Sequence, residues 1–270
     1  MGKADAILKA AFRGPLSRRH ELGLYRRIQP DGWFLASRRG DPVGMVGAVV
    51  YDAFAHVGMM AVHPAAQRQG VGMALMRFLL SRLDRGGVPL VSLDASEAGR
   101  PMYEKLGFVA HGETLTFQRR KAAGGRFPAA DIPRISRGEL LEVAAWDARC
   151  FGAGREKVLR ILWADAPDRA LLLRDAAGRI AGYLFARPAG IGPWVCRRAD
   201  AAEQLIKAAL TLPYAGAVSA IIPAENQAAV DLILRHGFTR TRANRRMSRG
   251  AGGGAGLRRK IYAQASLALG

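Results

Sequence analysis

The sequence predicts an α/β fold, built twice along the chain, in which helices cover both faces of a mixed sheet. Short apolar runs alternate with helical patterns between residues 33 and 118. The order of these runs recurs after residue 131. The chain has 270 residues, more than a single domain of about 100–200 residues usually holds. Interleaved strands and helices are typical of a sheet covered on both faces, and a repeat of this length indicates a duplicated domain.

The first part of the chain predicts two helices and then three strands. Apolar residues recur at helical spacing over residues 3–12 and 17–28. After a turn, strands are predicted at 33–37, 43–51 and 54–62. In the third strand, Gly58 and the pair Met59-Met60 predict a bulge that would splay this strand from its neighbour.

The rest of the first unit predicts a long helix over residues 72–85, ended by Gly86-Gly87. A short strand at 88–93, a short helix at 101–106 and a return to strand through 115–118 complete it. Two alanines and two glycines between basic residues predict a linker at 122–130. The predicted domains are therefore residues 1–121 and 131–270.

The second half is predicted to be a diverged copy that has lost one loop. Gly44 and Gly107 are 63 residues apart, whereas their counterparts Gly182 and Gly237 are 55 residues apart. The shortened interval is the one that holds residues 67–72 in the first half. No glycine pair stands at the corresponding helix start of the second half.

Charge is the extreme feature of the composition, with a formal net charge of +19. Both halves share the charge, and only residues 240–260 are locally dense in arginine. This segment lacks the interleaved aromatic residues that stack on bases, so a solvated basic hairpin is favoured over a nucleic-acid site. Nucleic acid is therefore not an expected partner.

The composition also bears on location and on metals. No apolar run of about 20 residues predicts a membrane span, and the opening residues lack a signal-peptide pattern, so a cytoplasmic protein is expected. Cys150 and Cys196 have no metal-ligand or redox spacing, and the histidines do not cluster. No metal site is predicted.

The stretch Gln67-Arg68-Gln69-Gly70-Val71-Gly72 predicts a phosphate site, because it lies between a strand and a helix. Two glycines at the helix start allow a ligand to approach the backbone closely. The first N–H groups of a helix have no internal partner and lie at its positive dipole end. A dinucleotide fold is excluded, because its third glycine and distant acidic residue are not in place. Ser-His-Asp hydrolysis is excluded too, because the sequence has no G-x-S-x-G motif.

These residues resemble the GNAT superfamily of N-acetyltransferases, which bind acetyl-CoA on a Q/R-x-x-G-x-G/A motif after a splayed strand. Gln67, Gly70 and Gly72 match that motif. Residues 93–108, which end in Y-E-K-L-G-F, are similar to the family's later strand-helix element. Residues 182–193, G-Y-L-F-A-R-P-A-G-I-G-P, resemble a divergent GNAT-like domain found in two-domain members.

The resemblance implies tandem GNAT folds, each a mixed and mostly antiparallel sheet with helices on both faces and a splayed central strand. The catalytic domain would be residues 1–121, and residues 131–270 would be a GNAT-like domain without the phosphate loop. The family usually opens with a strand before its first helix, and none is predicted here. That strand is either missing or supplied by the second half.

The implied function is an acetyl-CoA-dependent N-acetyltransferase, which moves an acetyl group to a primary amine by direct attack in the amino-terminal domain. The acceptor would be a small-molecule amine or a protein lysine. The cofactor-binding residues implied are Met60, Ala61, Val62, Gln67, Arg68, Gln69, Gly70, Val71 and Gly72. The alternative is a non-enzymatic, acyl-CoA-responsive binding module with a basic, partner-binding carboxyl half.

The resemblance also implies catalytic roles for two residues. Tyr103 would be the acid that protonates the departing thiolate. His56 would deprotonate the amine through water, with Asp52, Glu97 or water alone as competing bases. His63, just before a proline, is expected to shape the entrance of the loop.

Overall fold

The computed structural model describes residues 1–12, 17–120, 132–188, 190–251 and 256–270. The predicted linker at 122–130 lies outside these residues, so the two domain ranges remain predictions. The eight α-helices of the described residues are α1 Gly2–Phe12, α2 Arg19–Ile28, α3 Val71–Arg85, α4 Arg100–Glu104, α5 Leu140–Phe151, α6 Glu156–Asp165, α7 Ala199–Thr211 and α8 Gln227–Arg235. Among them, no helix is both long and apolar enough to cross a membrane.

Eleven strands of the described residues form one sheet. They are β1 Trp33–Arg38, β2 Asp41–Val50, β3 Ala55–Val62, β4 Leu90–Ala95, β5 Val109–Arg119, β6 Ala170–Arg174, β7 Ile180–Arg187, β8 Gly190–Cys196, β9 Val218–Pro223, β10 Thr239–Gly250 and β11 Ile261–Ala263. Ten lie in the order β1-β2-β3-β4-β10-β5-β9-β8-β7-β6, and β11 pairs with β8.

The two halves exchange strands at the centre of this sheet. β10, from the second half, lies antiparallel between β4 and β5 of the first half. β5, from the first half, lies antiparallel between β10 and β9 of the second half. Among the described ladders, only β3–β4 and β8–β9 are parallel. The mixed and mostly antiparallel sheet predicted from the sequence is therefore confirmed.

The strand exchange bears on the strand that the first half was expected to lack. No strand precedes α1 in the described residues. The second half does supply a strand to the first, but this strand is β10, and it adds to the far side of β4.

Residues 239–250 are a strand inside the sheet rather than a solvated basic hairpin, although residues 239–243 are exposed as predicted. They form β10, which has ladder partners along both edges, and Asn244, Arg246 and Met247 are buried. Backbone pairing on both sides outweighs the local charge density, because each unpaired buried N–H or C=O group would cost about 1–3 kcal/mol. Acidic residues offset some of the arginines, as Asp84 does for Arg249 at 3.0 Å.

The core that positions the first-half site lies between α3 and the strands β2 to β4. Leu75, Met76, Leu79, Leu80 and Leu83 recur at helical spacing and are all buried. Burial of each such side chain contributes about 1.5–3 kcal/mol. The helix start is therefore fixed against the sheet, and so is the loop that precedes it.

β3 carries the predicted bulge and diverges from β4. Its pairing with β2 shifts register opposite the Met45–Gly47 segment, and Met59 has a left-handed φ of 53°. Its parallel pairing with β4 covers residues 55–57 and ends at Val57 and Leu93. We call the gap beyond, between residues 58–62 of β3 and 94–95 of β4, the fork.

Candidate active site

The loop before α3 presents an open set of backbone donors. Gly70 has a φ of 81° and stands at the N-cap of α3, a conformation that strongly favours glycine. Among the hydrogen bonds of the described residues, none uses the backbone N–H of residues 68–73. Six consecutive unpartnered donors at the positive end of a 15-residue helix have the chemistry to bind an anion such as pyrophosphate.

The polar side chains of this loop hold its shape. Gln67 Nε2 donates to the Val62 carbonyl at 3.1 Å, and Gln69 Nε2 donates to the Ala65 carbonyl at 2.8 Å. His63 Nδ1 accepts from the Ala65 N–H at 3.3 Å, which agrees with its expected place at the loop entrance. The glutamines therefore tie the loop to the end of β3, and the backbone is left to meet a ligand.

Gly72 is the point where the loop, the fork and α4 meet. A Cβ built at this glycine would lie 3.1 Å from Met60 Cε and 3.2 Å from Met102 Sδ. A side chain here would fill the space between the end of β3 and α4. Because glycine has no side chain, the start of α3 approaches both the end of β3 and α4 closely.

Tyr103 lies beside Met102 on α4 and packs against the same core as α3. Its ring makes an edge contact with Phe108, with centroids 5.9 Å apart. Burial raises the pKa of the Tyr103 phenol to about 12. The group is therefore protonated at neutral pH, as a proton donor must be.

His56 is fully buried under the carboxyl-terminal residues. Its Nδ1 lies 3.0 Å from Ser92 Oγ, and its Nε2 lies 3.2 Å from the Leu267 carbonyl. Burial lowers its pKa to about 4, against the opposing effect of Asp94, so the imidazole is neutral at physiological pH. Both ring nitrogens are engaged, so His56 has no free nitrogen for an entering water.

The two competing carboxylates lie elsewhere. Asp52 accepts the N–H of Gly154 from the second half at 2.9 Å. The Glu97 side chain is 71% exposed, and Arg100 and Arg245 lie within 4 Å of it.

Sequence reasoning missed Asp94, the first β4 residue beyond the pairing with β3. Its side chain is fully buried. Its carboxylate accepts from Thr114 Oγ1 at 2.6 Å and from Gln264 Nε2 at 3.2 Å. A charged residue that interrupts an apolar strand was the available signal, because an acidic side chain is rarely buried without a purpose.

The equivalent gap of the second half is filled by the chain itself. The parallel pairing of β8 with β9 covers only Gly190 and Ile191 on β8. Beyond it β11 pairs with β8, and the Gln264 N–H donates to the Ile221 carbonyl of β9 at 2.7 Å. No glycine precedes α7, whose N-cap is Arg198. The second half therefore lacks the loop, and β11 occupies its gap.

Known proteins match both halves of the chain. Residues 5–108 match the model of the acetyltransferase (GNAT) family, and residues 143–263 match a second acetyltransferase (GNAT) domain model. The chain belongs to the GNAT acetyltransferases. Its two GNAT matches lie in tandem, as the sequence predicted.

Curated relatives of this GNAT protein are N-acetyltransferases by name. It is 25% identical over 209 residues to an uncharacterized N-acetyltransferase, YitH, of Bacillus subtilis. This match covers 74% of the chain and 71% of that protein. Over 96 residues it is 35% identical to the mycothiol acetyltransferase of Streptomyces avermitilis. This match covers 34% of the chain and 31% of that enzyme. These names and the two GNAT matches identify an N-acetyltransferase.

Solved structures agree on the fold. A candidate acetyltransferase from Pyrococcus horikoshii matches with a TM-score of 0.86 and 26% identity, over 100% of this chain and 92% of that one. A tandem GNAT protein from the clavulanic acid biosynthesis pathway matches with a TM-score of 0.65 and 17% identity, over 93% and 95% of the two chains. At 17% identity, the similarity to the tandem GNAT protein shows only that the two proteins share a fold.

Proposed function

We propose that the first half transfers the acetyl group of acetyl-CoA to a primary amine by direct attack, and that the second half forms one wall of the acceptor site. GNAT acetyltransferases use acetyl-CoA and act on amine acceptors. The observation that carries the assignment to the first half is the contrast between the two halves. The first carries a loop of unpartnered N–H groups beside the place where β3 and β4 diverge, whereas the second lacks such a loop and β11 pairs within its gap.

The loop and the fork fit the two ends of acetyl-CoA. The pyrophosphate would bind the N–H groups of residues 68–73, and Gly70 and Gly72 keep that surface free of side chains. The pantetheine arm would run past Gly72 along residues 60–62 of β3, whose edge has no partner strand on the β4 side in the described chain. The thioester would then lie in the fork.

Tyr103 is the proposed acid. It packs in the same core as α3, next to Met102, whose side chain lies beside Gly72, and its phenol is protonated at neutral pH. A proton donated to the departing thiolate lowers the barrier for breakage of the C–S bond. The backbone N–H near Met60 is the proposed donor to the thioester oxygen, where negative charge develops.

His56 was the predicted base, but its burial favours a different acceptor for the proton that the amine loses. Because both its nitrogens are engaged, the amine proton would leave to water in the fork, and His56 would hold Ser92 and the carboxyl-terminal residues in place. Asp94 lies at the fork and would attract the amine electrostatically.

Thermal melting and thiol release test this proposal together. CoA added at 100 times its Kd should stabilise the protein by about 2.7 kcal/mol, seen as a higher melting temperature. Acetyl-CoA with a panel of primary amines should release free thiol at a rate that depends on both substrates. If CoA leaves the melting temperature unchanged, the proposed site is wrong.

The non-enzymatic alternative has less support from the fold. It needs a basic surface in the carboxyl half, whereas the densest basic segment is largely the inner strand β10. CoA binding without thiol release for any amine would favour it.

A further inference from the structure

Buried hydrogen-bond acceptors without partners surround Asp94. Gln264 donates Nε2 to the Asp94 carboxylate, and Asn244 donates Nδ2 to the Asp94 main-chain carbonyl at 3.3 Å. These contacts fix both amides, so that Gln264 Oε1 and Asn244 Oδ1 point elsewhere. Both oxygens are buried and have no partner. Unmade hydrogen bonds of this kind cost about 1–3 kcal/mol each, and the N–H groups of an amine would satisfy them.

Two arginines near Asp94 carry buried donors without partners. Arg246 lies opposite Asp94 in the β10–β4 ladder and is 9% exposed, yet its Nε has no partner. Arg258 Nε donates to Glu225 at 3.2 Å, but its Nη2 is buried and unpartnered. Both arginines line a cavity of about 20 Å³ together with Ser92 and Ser248. Asn244 and Arg246 are two residues apart on one strand, so their side chains lie on the same face of the sheet and their Cα atoms are about 7 Å apart.

The charges of this cluster balance. Arg246 and Arg258 face the carboxylates of Asp94 and Glu225, and burial with the two arginines lowers the pKa of His111, so that it is neutral. A cluster without net charge but with separated donors and acceptors complements a ligand of the same kind. A zwitterion, with an ammonium group at one end and a carboxylate at the other, has that charge pattern.

We propose that the acceptor is a free amino acid, whose amine is held by the oxygens around Asp94 and whose carboxylate is bound by Arg246 and Arg258. This inference rests on the proposed function of the fork. The amine would stand at the fork because Asp94 is the first β4 residue beyond the pairing with β3. The carboxylate would enter the cavity between Ser92 and Arg246, whose guanidinium binds carboxylates in a two-point geometry.

The transfer balances with the groups at hand. The ammonium group loses one proton to water, and its nitrogen bonds to the acetyl carbon while the C–S bond breaks. Tyr103 donates a proton to the thiolate, and a second nitrogen proton restores it. The products are an N-acetylamino acid and CoA.

Thiol release with matched acceptor pairs tests the inference. The panel contains the common L-amino acids, β-alanine and γ-aminobutyrate, each compared with its own amide. We expect at least one acid to exceed its amide by about tenfold or more in kcat/KM, because a site built to bind a polar group rejects an analogue that lacks it. The amide keeps the amine and replaces the carboxylate with a neutral carboxamide.

Variants of Arg246 locate the carboxylate site. Arg246→Gln should raise the KM for the preferred amino acid by about tenfold or more, affect the amide less, and retain the wild-type melting shift with CoA. Arg246→Lys should retain part of the preference. Arg249→Gln is the matched control, since it removes the same charge from the same strand where Arg249 pairs with Asp84 at the surface.

The outcomes separate this inference from the proposed function. If CoA raises the melting temperature but no acid exceeds its amide, the inference is wrong and the acetyl-CoA site stands. The same holds if Arg246→Gln and Arg249→Gln behave alike while both retain the wild-type CoA shift. If CoA gives no shift with the wild-type protein, the proposed function fails first.

Discussion

Gly72 of α3 faces Met60 of β3 so closely that a Cβ at position 72 would lie 3.1 Å from the Met60 Cε. The contact places the head of the helix, and the six free N–H groups beside it, next to the fork. A glycine at this position allows the start of α3 to approach the end of β3 closely.

Gly72→Trp should therefore abolish CoA binding, because an indole at this contact would obstruct the path along β3 that is proposed for the pantetheine arm. The measurement is the CoA-dependent rise in melting temperature, which should vanish. Gly72→Ala should keep most of the rise, since its Cβ meets only the flexible ends of two methionines. Gly23→Trp is the control, because a Cβ at Gly23 has no neighbour within 4 Å. An unchanged CoA shift in Gly72→Trp would contradict the proposed path.

The loop at residues 67–72 could be predicted from the sequence because it depends only on residues that are close together along the chain. Gly70 and Gly72 lie within one strand-loop-helix stretch. The left-handed φ of 81° at Gly70 is a conformation that glycine adopts readily, so the residue type itself indicates the turn. The bulge at Met59 could be predicted for the same reason, since Gly58 and two methionines are adjacent in the sequence. Each feature depends on neighbours along the chain.

The polar cluster could not be predicted because it depends on pairing between distant segments. Arg246 meets Asp94 only because β10 enters the first half of the sheet. His56 is buried by residues more than 200 positions away, including Leu267 at its Nε2. A strand histidine with an open environment and one covered by a distant segment have the same local sequence.

His56 should make the protein less stable in acid. Its folded-state pKa is about 4, below the value of about 6.5 expected in the unfolded chain, so the unfolded state binds more protons between these values. The free energy of unfolding should then fall by up to roughly 3 kcal/mol as the pH drops from 6.5 to 4. Asp94 favours the charged form, whereas burial, Arg246 and Arg258 oppose it.

Urea unfolding at several pH values measures this effect. His56→Gln should lose most of the fall between pH 6.5 and 4, whereas His20→Gln should keep it, because the His20 side chain is 71% exposed. Equal pH profiles for wild type and His56→Gln would argue against a buried neutral imidazole.

The ion pair of Arg155 with Asp147 should be needed for stability. Both side chains are fully buried, with Arg155 Nε 2.6 Å from Asp147 Oδ2, and the Tyr183 hydroxyl donates to the same carboxylate at 2.6 Å. Arg155→Met would leave a buried charge uncompensated and should cost about 3–5 kcal/mol in the free energy of unfolding. Arg198→Met, from an exposed pair with Asp200, should cost less than about 1 kcal/mol. If the free energy of unfolding fell by a similar amount in both variants, the buried ion pair would contribute no more to stability than the exposed one.

Tyr103→Phe should slow turnover without weakening CoA binding. The ring fills the same space beside Phe108, so the packing is kept, while the proton donor is lost. General acid catalysis contributes about 100-fold or more, so kcat should fall by at least about that factor, and the CoA melting shift should match that of the wild type. Because the phenol pKa is about 12, no fall in kcat from its ionisation should occur below about pH 11.

Tyr214→Phe is the matched control for this variant. Its phenol is also largely buried, with a pKa raised to about 12 by burial, and it donates to the Ala209 carbonyl at 3.0 Å in the second half. Its loss should cost about 1 kcal/mol of stability and leave kcat unchanged. If Tyr103→Phe turned over as fast as Tyr214→Phe, the thiolate would take its proton from another donor, and the role of Tyr103 would be limited to packing beneath the fork.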